Sequence, residues 1–417
     1  MYRLQIWMIM RLFFFIIFQL FLFTCFSQNT ETEKSKANQQ NSNTYNSNSV
    51  IINDTLMIAP SSIPSPSLQE SDFNKKESMS VSKKKASSAP SVSSGASQQK
   101  ATMEVKKMEF SSSKGQASSQ RSQRSPTKDQ QQQMNETVAY FESFAPESFE
   151  YHYFKYVSGN YTIGLVDHLF KAEKLKPNNA DVQIQLASYY MITGDRLNSV
   201  KYLAKLKAID RISDVALKYA KDLLLSVPEN GVLITHGFDD TYACEYLQLA
   251  ENQRTDVTII SLDFLQSREY VKKLTEKGFN LSQSTVIDVS YFTALCNKNE
   301  AKKISISLTT PKEYFKAIQT NLFVVGLVFE YHSNPFNNYY KNDYLWNEGL
   351  EKSLVYSALD EKGKEISSNY LPMLLQLRAF YIQNNEVEKL KEIEIALDKV
   401  SVQSRKYDKV QKLKKSY

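Results

Sequence analysis

Four histidines and three cysteines in 417 residues leave little ligand chemistry for a transition metal. The histidines stand at no metal-ligand spacing, and the chain has no cysteine cluster and no His-Glu-x-x-His segment, which excludes the familiar zinc centres. A Gly-x-Ser-x-Gly elbow, a phosphate-binding glycine loop and a dinucleotide fingerprint are missing as well. No cofactor and no metal are therefore expected, and no reaction is assigned. A membrane span needs about 20 apolar residues; the early apolar run, 12–23, is shorter and is interrupted by Gln19. The formal charge of +6 falls on the first 138 residues. The remainder of the chain is close to neutral, which argues against a nucleic-acid footprint.

What is present at the front reads as an address and a spacer. Residues 1–27 carry Arg3 and Arg11 ahead of the apolar run, the pattern of a secretory signal. Cleavage after Cys25-Phe26-Ser27 would leave Gln28 first; the alternative is a lipoprotein anchored at Cys25. Either way the chain is expected to be exported, to the periplasm or cell envelope, with no transmembrane span once mature. Residues 28–137 turn to Ser, Gln, Asn and Lys with scattered Pro. Too few apolar residues lie there to offset chain entropy, so a long disordered spacer is expected. Lys83-Lys84-Lys85 can touch anionic envelope surfaces weakly, or simply keep the spacer soluble. The alternating patch 102–110 reads either as ordinary tail or as a strand offered to a partner's sheet edge.

The centre of the chain is 227–265. Val232-Leu233-Ile234-Thr235 and Val257-Thr258-Ile259-Ile260-Ser261 are short apolar runs suited to strands covered on both faces. A helix between them, capped by Asp239 or Asp240, makes a crossover unit. Further strands are expected over 284–289, 303–308 and 322–329, with a helix over 311–318. Residues 343–415 return to helical periodicity, as a hairpin turning at Asn384-Asn385 and a solvated basic terminal helix. The fold class expected is α/β with flanking α: a helical array over 146–226, a small, mostly parallel sheet domain over 227–340, and a C-terminal helical segment over 341–417.

Two resemblances refine this. Tyr153, Tyr156, Leu165, Leu169, Ala172 and Pro177, then Leu186, Ala187, Tyr190, Gly194, Ser199 and Leu203, resemble two tetratricopeptide repeats of about 34 residues. Two such pairs need a third partner to close the stack, and the amphipathic stretch 212–226 suits that role. Tyr189, Tyr190 and Tyr202 then either pack inside the array or line a peptide groove. Separately, Gly237, Asp240-Thr241-Tyr242, Tyr246-Leu247-Gln248 and Arg254, Asp256-Val257, with the later 321–329 segment, resemble the soluble C-terminal region of a bacterial multi-pass membrane family related to protein O-mannosyltransferases. This likeness covers 226–332. The chain departs from that family at His236-Gly237-Phe238 and lacks its membrane bundle, so glycosyl transfer does not carry over.

In open α/β sheets ligands sit beyond the carboxyl ends of the strands. The candidate ligand-binding residues are accordingly His236, Asp239, Asp240, Thr241 and Tyr242, with Arg254, Asp256, Glu330 and His332 as neighbours. Three roles compete for the turn: helix capping, a pocket for a sugar or cation, and acid–base catalysis. Cys244 and Cys296 are either a disulfide, which an oxidising compartment would permit, or two buried thiols. The function expected is a non-catalytic envelope scaffold that binds proteins or glycans. The alternative is a glycan-binding or glycan-processing enzyme using the acidic turn.

Overall fold

The computed structural model describes residues 94–119, 125–357 and 360–415. The expected signal, Cys25, Lys83-Lys84-Lys85 and most of the expected spacer lie outside them. No helix among the described residues is long and apolar enough to cross a membrane. The molecule is mostly helical, with a small five-stranded mixed sheet in the middle and helices on either side.

The first two helices, α1 (Ser94–Ser119) and α2 (Lys128–Phe144), fall largely in the stretch read as spacer, so ordered structure begins before residue 137. A few apolar residues account for the difference. Phe110, Met134, Val138 and Phe141 are buried, and the Phe110 ring stacks on Phe154 with centroids 4.1 Å apart. These residues are too widely spaced to raise local hydropathy, but they converge once α3 (Phe149–Ser158) packs beside them. The 102–110 patch is helical, with Phe110 inward and Val105 and Met108 exposed. It offers no strand to a partner. Thr127 and Gln130 close a reciprocal capping box at the start of α2.

Two antiparallel pairs come next, α3 with α4 (Val166–Leu175) and α5 (Ala180–Thr193) with α6 (Arg196–Ala208), then α7 (Asp214–Leu225). Polar residues cap the starts: Ser148, Asn179, Asp195 and Ser213 each accept a backbone N–H near the beginning of a helix. Gly194 ends α5 with φ +77°, a left-handed conformation that glycine adopts without Cβ strain. The pairs begin at Phe149 and Ala180, closer than a 34-residue repeat would place them. Tyr202 is buried, donates to Glu173 at 2.7 Å and stacks on Tyr190. Those rings pack within the array.

The sheet runs β2-β1-β3-β5-β4. β1 (Val232–Thr235) pairs in parallel with β2 (Thr258–Ser261) and β3 (Ile304–Ser307), joined by α8 (Gly237–Leu249), α9 (Arg268–Glu276) and α10 (Val289–Lys298). The other half is antiparallel, so the sheet is mixed rather than mostly parallel. The cause is Gly326. The 322–329 run, expected as one strand, folds back as β4 (Leu322–Val325) and β5 (Val328–Tyr331). Gly326 sits at the turn with φ +57°, where an added Cβ would lie 2.2 Å from Ser226 Oγ. The expected strand at 284–289 is absent because Asp288 caps α10, accepting from Tyr291 N at 2.9 Å.

Side chains stopper both sheet edges. Beside β2 the Tyr270 hydroxyl donates to Ile259 O and accepts from Ser261 N, both at 3.2 Å. Beside β4, Asn338 and Asn342 donate to Val324 O. An edge closed in this way gives no template for a partner's strand.

The expected helix at 311–318 is a single short turn, Lys312–Phe315. After α11 (Tyr339–Tyr344), α12 (Ser353–Tyr356) and α13 (Glu361–Ile366), the hairpin α14 (Leu371–Gln383) and α15 (Val387–Gln403) turns at Asn384-Asn385, with Asn385 at φ +57°. The final helix α16 (Tyr407–Lys414) docks rather than standing in solvent. Its Val410 and Leu413 are buried, and Lys414 Nζ reaches Asp398 at 2.8 Å.

Candidate functional site

β1 lies between β2 and β3, so the carboxyl ends of β1 and β3 form the point where strand order reverses. That is where α/β sheets place their ligands. The turn His236-Gly237-Phe238-Asp239-Asp240 leaves β1 there and enters α8. Asp240 is buried beneath it and accepts from Ser307 Oγ at 2.6 Å, from Thr309 Oγ1, and from the His236 backbone N–H. Burial pushes its carboxyl up to about 6, against the pull of those donors. Asp239, nearer the surface, pairs with Lys362 of α13 at 2.8 Å.

The next two residues point inward. Thr241 Oγ1 meets Thr235 Oγ1 at 2.9 Å and donates to Ser261 Oγ at 3.4 Å, which ties α8 to the ends of β1 and β2. Tyr242 is buried, shares a hydrogen bond with Ser188 of α5 and stacks on Phe238 with centroids 4.3 Å apart. His236 is buried too. The turn is thus a junction where the sheet, the helical array and the C-terminal segment meet.

The other candidates are elsewhere. Arg254 and Asp256 lie at the amino end of β1 and β2, and Asp256 accepts from Asn230 N at 3.1 Å. They form a two-bond pair, Nε to Oδ1 and Nη2 to Oδ2, each 2.9 Å. Glu330 pairs in register with Ser305, away from the end of β3. Its carboxylate takes Lys341 Nζ on one oxygen and His332 Nε2 at 3.2 Å on the other. Cys244 and Cys296 are free and buried on α8 and α10, and burial pushes both thiols up. Among the described residues no group of three His, Cys, Asp or Glu side chains is arranged to hold a metal.

Residues not singled out from the sequence complete the junction. Tyr219 of α7 is bonded to Ser307 and accepts from Asn369 Nδ2 at 3.1 Å. Asp222, one turn on, accepts from the Tyr370 hydroxyl at 2.6 Å. The signal for Ser307 and Thr309 was their alternation in an otherwise apolar run. For Tyr219 and Asp222 it was their place on the apolar face of 212–226.

The raised value of Asp240 has a definite sign. The folded state holds this proton more tightly than the unfolded chain, so the contribution is full below about pH 4 and is lost as pH rises through about 6. Across that window wild type is expected to lose about 2 kcal/mol that Asp240→Asn does not lose. Urea unfolding at stepped pH measures it, and parallel slopes for the two proteins would refute the assignment.

A small mixed sheet between helical segments, with its polar residues bound to one another at the strand-order reversal, defines an α/β domain in which the acidic turn is an internal joint. Residues 216–389 match the family model described as TMEM260-associated domain 2. The match runs from α7 into the start of α15 and contains the 226–332 stretch, without bearing on the tetratricopeptide or mannosyltransferase-related resemblances. No curated protein and no solved structure matches the chain.

Proposed function

We propose that the chain is an exported, non-catalytic scaffold of the cell envelope, binding protein partners through its helical array while the TMEM260-associated domain serves as its rigid base. The observation behind this reading is that each carboxylate of the acidic turn is engaged internally, Asp239 by Lys362 and Asp240 by Ser307 and Thr309. A general base takes a substrate proton, and carboxylates already engaged inside the protein support a role without catalysis. The α6 helix, by contrast, exposes Leu197, and Ile209 is exposed just past its end. Tetratricopeptide-like stacking of the helix pairs would give such an array its binding face.

A second reading rests on Gly237. A Cβ built there would have no atom within 4 Å, and half-buried Phe238 lies beside it, which leaves the turn's backbone open beside an aromatic ring for a glycan to stack on. Quantitative capture from envelope extract separates the two, using Leu197→Glu/Ile209→Glu on the array and Phe238→Ala/Asp239→Ala on the turn. The array variant is expected to lose its partner by on the order of tenfold, equivalent to about 1.4 kcal/mol, with the turn variant unchanged. Loss of a partner or glycan in the turn variant alone would overturn the scaffold reading.

A further inference from the structure

The chain has four histidines, and two of them face each other. His152, in the first turn of α3, and His168, near the start of α4, place their Nδ1 atoms 2.9 Å apart. The ring centroids are 5.1 Å apart, so the two nitrogens lie between the rings and point at one another. His152 is buried and His168 half-buried. Imidazole chemistry limits what such a contact tolerates. One Nδ1 must carry a hydrogen and the other must offer its lone pair. A single added proton leaves that arrangement intact and makes the bond charge-assisted. A second added proton turns both nitrogens into donors on two adjoining cations.

We propose that His152 and His168 share a proton across the α3–α4 hairpin and form an acid-released latch, which loosens the front of the helical array when both rings become charged. The surroundings set its threshold. Glu147, in the loop before α3, has Oε2 3.9 Å from His152 Nε2 and favours its cation. Lys171 of α4 opposes charge on both rings and Lys155 of α3 opposes it on His168, while Asp167 of α4 favours charge on His168. From α2, Glu142 takes the Tyr151 hydroxyl at 2.9 Å, and the Tyr151 ring stands edge-on to His168 at 5.4 Å. On the far side of α3, Lys107 of α1 and Lys176 meet on Glu150 at 3.2 and 3.4 Å. Burial is the largest influence on both histidines and holds them below the usual imidazole range.

Both folded values are depressed, so the unfolded or opened state binds more protons. The latch contributes fully above the ordinary histidine range and is lost as pH falls through the folded values. α1 to α3 share the Phe110, Phe141 and Phe154 cluster, so those helices stay together while the α3–α4 seam loosens.

Hydrogen exchange, corrected for the intrinsic pH dependence, tests this on the full chain. Between about pH 7.5 and about pH 5, protection of α3 and α4 in wild type is expected to fall on the order of tenfold more than that of α14 and α15, the change produced when the opened seam binds a proton about tenfold more tightly than the closed one. In His168→Gln, which keeps a polar partner and cannot take the second proton, the excess fall should vanish, whereas the His332→Gln control should behave as wild type. An equal fall in wild type and His168→Gln would overturn the latch. Should that variant not fold, ring 15N shifts of wild type at about pH 7.5 decide: one protonated and one bare Nδ1 supports a shared proton, and two bare Nδ1 atoms refute it.

Discussion

Arg254→Ala is expected to destabilise the fold by about 2–3 kcal/mol, the cost of leaving several partly buried hydrogen-bonding groups without a partner. Arg254 was expected beside the acidic turn, yet it works at the opposite end of the sheet. Its Nη1 donates to Leu224 O at 2.6 Å, and its Nη2 donates to Val227 O at 3.0 Å and Pro228 O at 3.3 Å. Those carbonyls belong to the last turn of α7 and the link into β1, where a helix end leaves acceptors unpaired. The same guanidinium grips Asp256 with two bonds. The side chain thus fixes the angle at which α7 delivers the chain to the sheet. Arg254→Lys should recover less than half of the loss, because one ammonium cannot serve the carboxylate and three carbonyls together. Hydrogen bonding from Arg254 is the main cause that pulls Asp256 down to about 2. That depressed value stabilises the fold above about pH 4 and ceases to do so as pH falls through about 2, so the gap between wild type and Arg254→Ala should narrow in acid. Urea unfolding at about pH 7 and about pH 2.5 measures both effects. A cost under about 1 kcal/mol at neutral pH would mean that water replaces the guanidinium without loss.

The second large effect is at Asp222. Its carboxylate is wholly buried in α7 and accepts from Glu351 N at 2.7 Å, Lys352 N at 2.9 Å and the Tyr370 hydroxyl at 2.6 Å. Lys352 has φ +58°, a left-handed conformation that costs a lysine energy unless its surroundings hold it. Asp222→Ala removes one acceptor from three donors and is expected to cost about 3–5 kcal/mol. Asp222→Asn should be little better, because its amide turns a donor toward a donor. Tyr370→Phe, which deletes one bond and keeps both backbone contacts, should cost about 1–2 kcal/mol. Limited proteolysis adds a local readout: cleavage near 350–353 should appear in Asp222→Ala well before global unfolding. Protection equal to wild type would show that α7 does not hold this segment.

Arg254 and Asp222 share a structural role with Asp240. Arg254, Asp222 and Asp240 are the kinds of side chain that catalysis recruits, and each is bound to backbone or hydroxyl groups that pin one element to another. The matched stretch 216–389 opens at α7 and ends in α15, and it spans all three joints.

Local pattern was enough for the pieces whose cause is local. The β-branched runs of β1 and β2, the helix between them and the Asn384-Asn385 turn arise from composition and spacing, because neighbouring residues set periodicity and turn geometry. The same holds for an α/β class with flanking helices and for the central position of the sheet. Other features were out of reach of local reasoning. Val324 to Leu327 is apolar on both sides of Gly326, so only the fit against Ser226 reveals a hairpin where one strand was expected. Phe110 and Phe154 make a core only after α1 and α3 meet. Asp240 is 67 and 69 residues from the hydroxyls that hold it, and no spacing rule spans that distance. Sequence alone put His236, Asp240, Arg254 and Asp256 close together because they are close along the chain. Tertiary structure sent the first two to the carboxyl end of β1 and the last two to its amino end, since a helix and a return turn lie between them. The sequence by itself determined the strand-helix-strand unit from β1 to β2 and the C-terminal helical hairpin; which polar groups meet around the acidic turn was decided by long-range packing of α7, β3 and α13.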